Sequence, residues 1–566
     1  MPCLPHTRLD VWPCIGGATL GARGNLPALV TALNDTTHDR TAETQTAWRL
    51  TIAWVVGAVI FRGVISSLVP LVPDETYYWL WTRHLRAGYF DHPPGIALLT
   101  AAGTALVGTT PVGVRAGPMA AAFITHLAAL IAAWHLAGKR ASGARAALRA
   151  AVLVSVVPLA ILGLVLATPD AALFAAAMIA LLAVERALAA PIRSRHGFWW
   201  WTLAGISLGA AFVAKYTAVL LPASLVVACA IHPALRARFK EAGPWWASFV
   251  ALVIFSPVVA WNAYNNWVSF RFQLNHGFGS AVRGSVLSRE LELLGGQLGL
   301  ATPILFGLMA LAVYSALRDG WCSRERSSPE DLSTRRFALG VTSVLPMIFF
   351  AVSASRRSVE ANWPALIYPG AILLLASESH QVTRARWWRG GVAFAVALLA
   401  IVSVQAWRPV LPLAPRQDPF ARSYGWTTLA VAVDSARRDP FLDGTVDRWV
   451  AADRYQEASA LAFHLPDHPT VFSLNLAGRP NQFDLWPTAY EMVRPGDGLV
   501  AVFDDNAVGD TLGVRVARWF KEARRGAQVV LRRGEGAVAH RRIWLYRIAN
   551  NVPARPVPKP SLSGAR

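Results

Sequence analysis

Pro73-Asp-Glu-Thr-Tyr-Tyr-Trp-Leu-Trp81, followed closely by Gly88-Tyr-Phe-Asp-His-Pro-Pro94, places Asp74, Glu75, Asp91 and His92 directly after the first long apolar segment of the chain. Carboxylates beside a membrane span are costly to desolvate, so their position points to a functional site. A plainer reading also exists: acids in a first helical turn cap the helix and suit its dipole. What surrounds this stretch decides between the two.

Outward from it the chain is strongly apolar. Of 566 residues, 54% are hydrophobic and 16% charged, with 23 Trp; soluble proteins carry about 25% charged residues. Stretches long enough to span a bilayer fall near 48–72, 112–137, 146–166, 170–190, 198–213, 216–231, 245–263, 297–317, 337–354, 361–378 and 390–408, with 95–110 as a further short or re-entrant helix. The expected fold is an α-helical polytopic membrane protein. A net charge of +20 would suggest nucleic acid in a soluble protein, but here Lys and Arg collect in short loops between spans, so no nucleic acid partner is expected. Cys3, Cys14, Cys229 and Cys322 have no metal-ligand spacing, and none lies beyond residue 408, so no disulfide framework holds the C-terminal part. Residues 1–45 lack the basic start, apolar run and cleavage site of a signal peptide and read as a disordered extension. The domains expected are thus 1–45, a transmembrane unit at 46–408, a small α/β domain at 409–550 and a disordered Pro-rich tail at 551–566. In the α/β domain, 500–503, 528–531 and 542–546 read as strands and 452–465 as a helix.

Basic clusters occupy every second loop: Lys139 to Arg149, Arg186 to Arg195, Arg236 to Lys240, Arg318 to Arg336, and Arg384 to Arg389. By the positive-inside rule those loops, and the N-terminus, are cytoplasmic, and the C-terminal domain is periplasmic. The alternate loops then share the outer face. They carry Asp74, Glu75, Asp91 and His92; Asp170; Lys215 and Tyr216; Trp261, Asn262 and His276; and Arg356, Arg357, Glu360 and Asn362. Acids and cations converging on one non-cytoplasmic face suit a transfer from a lipid-phosphate-linked sugar. A carboxylate would activate the acceptor, a role for Asp74, and cations would stabilise the departing phosphate, a role for Lys215, Arg356 and Arg357. Asp170 equally suits a helix cap, Lys215 a snorkelling side chain, the arginine pair a lipid-headgroup contact, and His92 and His276 structural hydrogen bonding.

The quoted stretch, with Lys215-Tyr-Thr-Ala218, Trp261-Asn262, Phe272-Gln273, His276, Glu360-Ala-Asn-Trp-Pro364, Ala452-Asp-Arg-Tyr-Gln456, Leu474 to Arg479 and Asn481-Gln-Phe-Asp-Leu-Trp486, resembles bacterial GT-C glycosyltransferases of the aminoarabinose lipid A transferase and protein O-mannosyltransferase superfamily, glycosyltransferase family 39-like. The resemblance implies a GT-C fold of about 11–13 transmembrane helices and a polyprenyl-phosphate sugar donor. It also implies a glycolipid, glycan or protein acceptor reached from the periplasm. By motif position it assigns Asp74 to the acceptor and Lys215 to the donor phosphate; with the loop reading, the catalytic candidates are Asp74, Glu75 and Asp91. From the same convergence of residues, Lys215, Arg356 and Arg357 are the donor-phosphate candidates, and His92, Asp170, Tyr216, Glu360 and Asn362 the substrate candidates. No cofactor is certain; a divalent metal is possible, with His276 the matching position. The sequence shows no acidic partner beside Lys215. Two readings compete with an enzyme, a transporter or flippase and a non-catalytic binder of lipid-linked saccharides. A transporter would carry internal repeats and midplane charges, and neither is evident.

Overall fold

The computed structural model describes residues 26–138, 140–157, 165–278, 284–378, 385–415, 417–476, 478–505, 511–517, 520 and 522–548. The side chains of 26–40, 140, 276–278, 385, 511, 512 and 515 lie outside that description, as do most of the expected N-terminal extension and all of the expected tail.

Among the described residues, eight helices are long and apolar enough to cross a membrane: Thr41–Leu68, Pro111–Leu136, Pro169–Ala189, Arg195–Ala214, Ala242–Tyr264, Pro303–Ser323, Leu332–Ala354 and Arg386–Trp407. The pair Tyr216–Ile231 and Pro233–Lys240, bent by 110°, makes up to nine. The expected span at 146–166 lies partly outside the described residues, 158–164 being beyond them, and three other expected segments are shaped by local features. The segment at 297–317 is broken at Thr302, whose φ of 62° lies between helices Val286–Ala301 and Pro303–Ser323. The segment at 361–378 opens with a 3-10 turn, Trp363–Leu366, leaving only Ile367–Ser377 as α-helix. The segment at 95–110 is a 13-residue helix, Gly95–Val107, about 20 Å long and too short to span.

The first elements in chain order are α1 (Leu26–Leu68), α2 (Pro73–Thr82), α3 (Gly95–Val107), α4 (Pro111–Leu136), α5 (Arg140–Val156), α6 (Pro169–Ala189) and α7 (Arg195–Ala214). Proline at the first position starts α2, α4 and α6, where its missing N–H costs nothing and its fixed φ is already helical.

Two helices fix the polarity of the bundle. α6 carries Asp170 in its first turn and Arg186 in its last. Helix Leu332–Ala354 runs the other way, with Arg335 and Arg336 near its start and Ser353 near its end. A 21-residue helix is about 30 Å long, so the two helices carry basic residues at one end of the bundle. That end is knitted by the ion pairs of Arg335 with Glu185, Arg336 with Glu378, and Arg238 with Glu241.

The C-terminal part is a five-stranded sheet with helices. Strands β1 (Arg448–Ala452), β2 (Val471–Ser473), β3 (Gly498–Asp504), β4 (Glu522–Arg533) and β5 (Gly536–Arg547) lie in the order β2-β1-β3-β5-β4. β1 pairs parallel with β2 and β3, while β5 pairs antiparallel with β3 and β4. The helix expected at 452–465 starts only at Tyr455, because Ala452 still pairs in the sheet, opposite Ser473 and Val502.

This sheet is not detached from the membrane unit. One apolar core takes Leu71, Tyr77, Trp79 and Trp81 from α2 and its approach together with Leu429, Leu461, Val500 and Leu545. Trp79 meets Phe463 edge-on at 5.0 Å, and Tyr77 meets Tyr455 at 4.6 Å. The aromatic run of α2, which hydropathy alone would assign to a bilayer interface, is the floor on which the sheet domain rests.

Candidate active site

A cavity of about 640 Å³ opens where α2, the turn after it, α6, the break after α7 and the loop at 353–363 meet. Its walls include Asp74, Asp91, His92, Asp170, Lys215, Tyr216, Glu360 and Asn362. Residues from four separate outer loops of the sequence therefore share one space, and Phe270, Phe272 and Gln273 bring in a fifth. Apolar side chains, among them Phe212, Leu220, Phe255 and Phe350, line its flank.

Lys215 occupies a local break. α7 stops at Ala214, Lys215 is extended at φ −158° and ψ 137°, and a 3-10 turn resumes at Tyr216. Its ammonium is 2.8 Å from Asp170 Oδ1, and Asn362 Nδ2 donates to the other carboxylate oxygen at 3.0 Å. This is the acidic partner that no local sequence spacing revealed. The close approach is possible because Gly95 has no side chain: a Cβ there would lie 2.8 Å from Ala214 Cα and Val213 O. Tyr216 sits beside Lys215, its hydroxyl 2.9 Å from Ser269 Oγ and accepting from Asn262 Nδ2 at 3.3 Å.

Asp91 is held from the sheet domain. The Gln482 amide donates to the Tyr77 hydroxyl (2.7 Å), and that hydroxyl donates to Asp91 Oδ2 (2.6 Å). The Phe90 amide in turn donates to Gln482 Oε1 at 2.7 Å. Burial, then the charge of Asp91 and the hydrogen bond to it, push the Tyr77 phenol well up, so it stays a donor. Burial raises Asp91 to about 6 despite the hydrogen bond from Tyr77 and the nearby Arg479, with Asp74 adding to the rise. Asp74 is itself raised, first by burial among the cavity walls and then by Glu75 and Glu360, against Arg479 and Arg422. Its side chain nonetheless reaches open space, because it borders two cavities. The second, about 880 Å³, extends toward the sheet past Arg422, Arg454, Gln456 and Gln528.

These shifts set a pH dependence. A carboxylate raised in the folded chain favours stability at low pH and loses that contribution as pH rises from about 4 through about 6. Activity that needs the ionised carboxylates runs the opposite way. Such an activity is expected to fall as pH drops through about 6, and a rate flat from pH 7 to 5 would refute the need for ionised carboxylates.

Three expected site residues lie elsewhere. Glu75 does not face the cavity. It is fully buried against Arg115 of α4, which donates through Nε (2.7 Å) and Nη2 (2.6 Å). The amides of Ala167 (2.8 Å) and Val72 (2.9 Å) complete its shell. With its oxygens saturated it has no lone pair aimed at a substrate, so it is structural. Arg356 and Arg357 are not cavity walls either. Arg357 donates to Asn275 O at 3.1 Å and lies over the Trp363 ring at 5.8 Å, and Arg356 is exposed. The cation that sequence reasoning missed is Arg479, which lines the cavity from the sheet domain together with Tyr455. The motif around it was visible, but nothing in the sequence said that it folds back onto the first loop. The side chain of His276 lies outside the described residues. Among the described residues no three His, Cys, Asp or Glu converge to hold a metal.

Comparison with known proteins agrees with this architecture. The family model described as dolichyl-phosphate-mannose-protein mannosyltransferase matches residues 91–261. The lipid A galacturonosyltransferase RgtD of Rhizobium johnstonii is 26% identical over 324 residues, which is 56% of this chain. The match spans 63% of that relative's length. Among solved structures, ArnT from Cupriavidus metallidurans in the apo state aligns with a TM-score of 0.57 at 16% identity, over 88% of this chain and 98% of that one. The same protein bound to undecaprenyl phosphate aligns at 0.56 and 16%, over 89% and 99%. The fold expected from the motifs is the fold observed, and ArnT shares it.

Proposed function

From this GT-C fold, we propose that the protein is a membrane glycosyltransferase moving a sugar from a polyprenyl-phosphate donor to a glycolipid, glycan or protein acceptor on the periplasmic face. The observation that carries this reading is a single cavity with an ion-paired lysine on one side, two raised carboxylates on the other and an apolar flank suited to an isoprenoid chain. RgtD and the undecaprenyl phosphate complex of ArnT are consistent with a lipid-linked donor and a lipid A type of acceptor. The ion-paired basic end of the bundle supports a cytoplasmic reading of that end and, with it, a periplasmic reading of the cavity.

In the proposed reaction the donor phosphate displaces Asp170 from part of the Lys215 ammonium, and Lys215 holds the leaving charge. The acceptor approaches through the second cavity and brings a hydroxyl to Asp74. The hydroxyl oxygen attacks the anomeric carbon, the bond from that carbon to the phosphate oxygen breaks, and Asp74 takes the hydroxyl proton. Polyprenyl phosphate leaves as the anion. A carboxylate pushed upward by burial is a stronger base than a solvated one, which favours this step. Asp91, fixed through Tyr77, together with His92, Glu360 and Tyr216, is left to orient the sugar.

The test is binding of undecaprenyl phosphate to the purified full-length protein. Lys215→Ala removes a charge-assisted contact and should weaken binding by roughly 1.5–3 kcal/mol. Because it also strands Asp170, the double variant Lys215→Ala/Asp170→Asn is measured beside it. Undiminished affinity in both would remove Lys215 from the donor site. A transporter reading predicts carrier binding without sugar transfer, so formation of a glycosylated product by proteoliposomes separates the two.

A further inference from the structure

Two cationic side chains, apart from His92, line the main cavity among the described residues, Lys215 and Arg479. Lys215 already has Asp170. Arg479 is exposed to the cavity and makes no ion pair among the described residues. Its contacts are both with Tyr455, whose hydroxyl is 3.5 Å from Nη1 and whose ring centroid is 5.6 Å from the guanidinium carbon. Its charge holds both Asp74 and Asp91 down, so it stands close to the carboxylates without bonding to either.

The backbone beneath it is built rather than loose. Arg479 O accepts from the side-chain amides of both Asn475 (2.9 Å) and Asn481 (3.0 Å). Asp484 gathers the same two residues, accepting from Asn475 Nδ2 at 3.2 Å and from the Asn481 amide at 2.9 Å. Asn475 takes a φ of 47° and Gly478 one of 75° to close the loop. Gln482, two residues after Pro480, is the anchor to Tyr77 and Phe90. A pinned main chain, a side chain resting on Tyr455 and a guanidinium whose one hydrogen bond among the described residues is the long one to Tyr455 suit planar, bidentate binding of an oxyanion.

We propose that Arg479 binds an anionic group, a carboxylate or a phosphate, carried by the transferred sugar or by the acceptor, distinct from the leaving phosphate held by Lys215. The inference rests on the glycosyl-transfer reading of the cavity. The sheet domain would then supply the group that selects the substrate, while the membrane unit supplies the lysine for the lipid carrier. An arginine that merely balanced Asp74 and Asp91 would alter the pH profile of transfer but would discriminate no ligand.

The experiment uses the purified full-length protein saturated with undecaprenyl phosphate, probed with D-galacturonate, inorganic phosphate and the neutral D-galactose. The wild type should bind one of the two anions about tenfold or more tightly than D-galactose, and Arg479→Gln should abolish that margin. Arg479→Lys should restore only part of it, since an ammonium lacks the bidentate fork. Preference for galacturonate assigns the anion to a sugar carboxylate; preference for phosphate assigns it to a phosphorylated acceptor. Undecaprenyl phosphate affinity should stay within about twofold in Arg479→Gln, which also shows that the variant is folded. No anion preference in the wild type, a preference surviving in Arg479→Gln, or loss of undecaprenyl phosphate binding in that variant would each overturn the proposal. If wild-type protein fails to bind undecaprenyl phosphate at all, it is the glycosyl-transfer reading that fails.

Discussion

Asp74→Asn is expected to insert and fold normally and to lose sugar transfer by about 10²–10⁴-fold, the usual worth of a general base. Asn keeps the shape and still suits the first turn of α2, but it takes no proton at neutral pH. Among the described residues the side chain bonds to no cation; Arg422 and Arg479 act on it only through space, so little native structure depends on its charge. Asp74→Glu should recover little, because one methylene moves the carboxylate by about 1 Å, enough to cost about 10²-fold. The measurement is transfer in membranes or proteoliposomes supplied with donor and acceptor. Near-wild-type turnover by Asp74→Asn would pass the role to Asp91, the other carboxylate held at the cavity wall.

The adjacent acid should behave in the opposite way. Glu75→Ala would leave Arg115 as a fully buried cation with only the carbonyls of Ser66, Val69 and Pro70 around it. Breaking a buried ion pair from one side typically costs about 3–5 kcal/mol, a large share of what holds a domain together. The variant should accumulate poorly and melt well below the wild type in detergent. Glu75→Gln keeps the hydrogen-bonding shape and should fall between the two. If Glu75→Ala protein melts like the wild type yet lacks activity, the structural assignment of Glu75 is mistaken and its catalytic role returns.

Sequence periodicity and charge located most of the membrane helices, the polar loops between them and most of the cavity walls. Asp74, Asp91, His92, Asp170, Lys215, Tyr216, Glu360 and Asn362 were each found that way and meet in one space. What escaped were partners distant in the chain. Asp170 and Lys215 are separated by a full pair of antiparallel helices, so no spacing rule joins them. Arg115 did leave a signal: a lone arginine within an apolar helix requires a partner, and looking for one would have led to Glu75. Arg356 and Arg357 were over-read because adjacency to an outer loop does not say which way a side chain turns. The broken spans at Thr302 and at Trp363 were missed because hydropathy windows average across a single residue with unusual torsions.

Strand order carries a consequence for biogenesis. β5 is the last strand in the chain but not the last in space: it lies between β3 and β4. The sheet therefore cannot close until residues 536–547 have emerged. The loop that presents Arg479 and steadies Asp91 rests on that sheet through the core shared with α2. During synthesis the helices and the lysine exist long before the second half of the site does. On the proposed reading, a stalled or truncated chain would hold Lys215 and its cleft without the Arg479 side of the site, and transfer would become available only to molecules that had been completed.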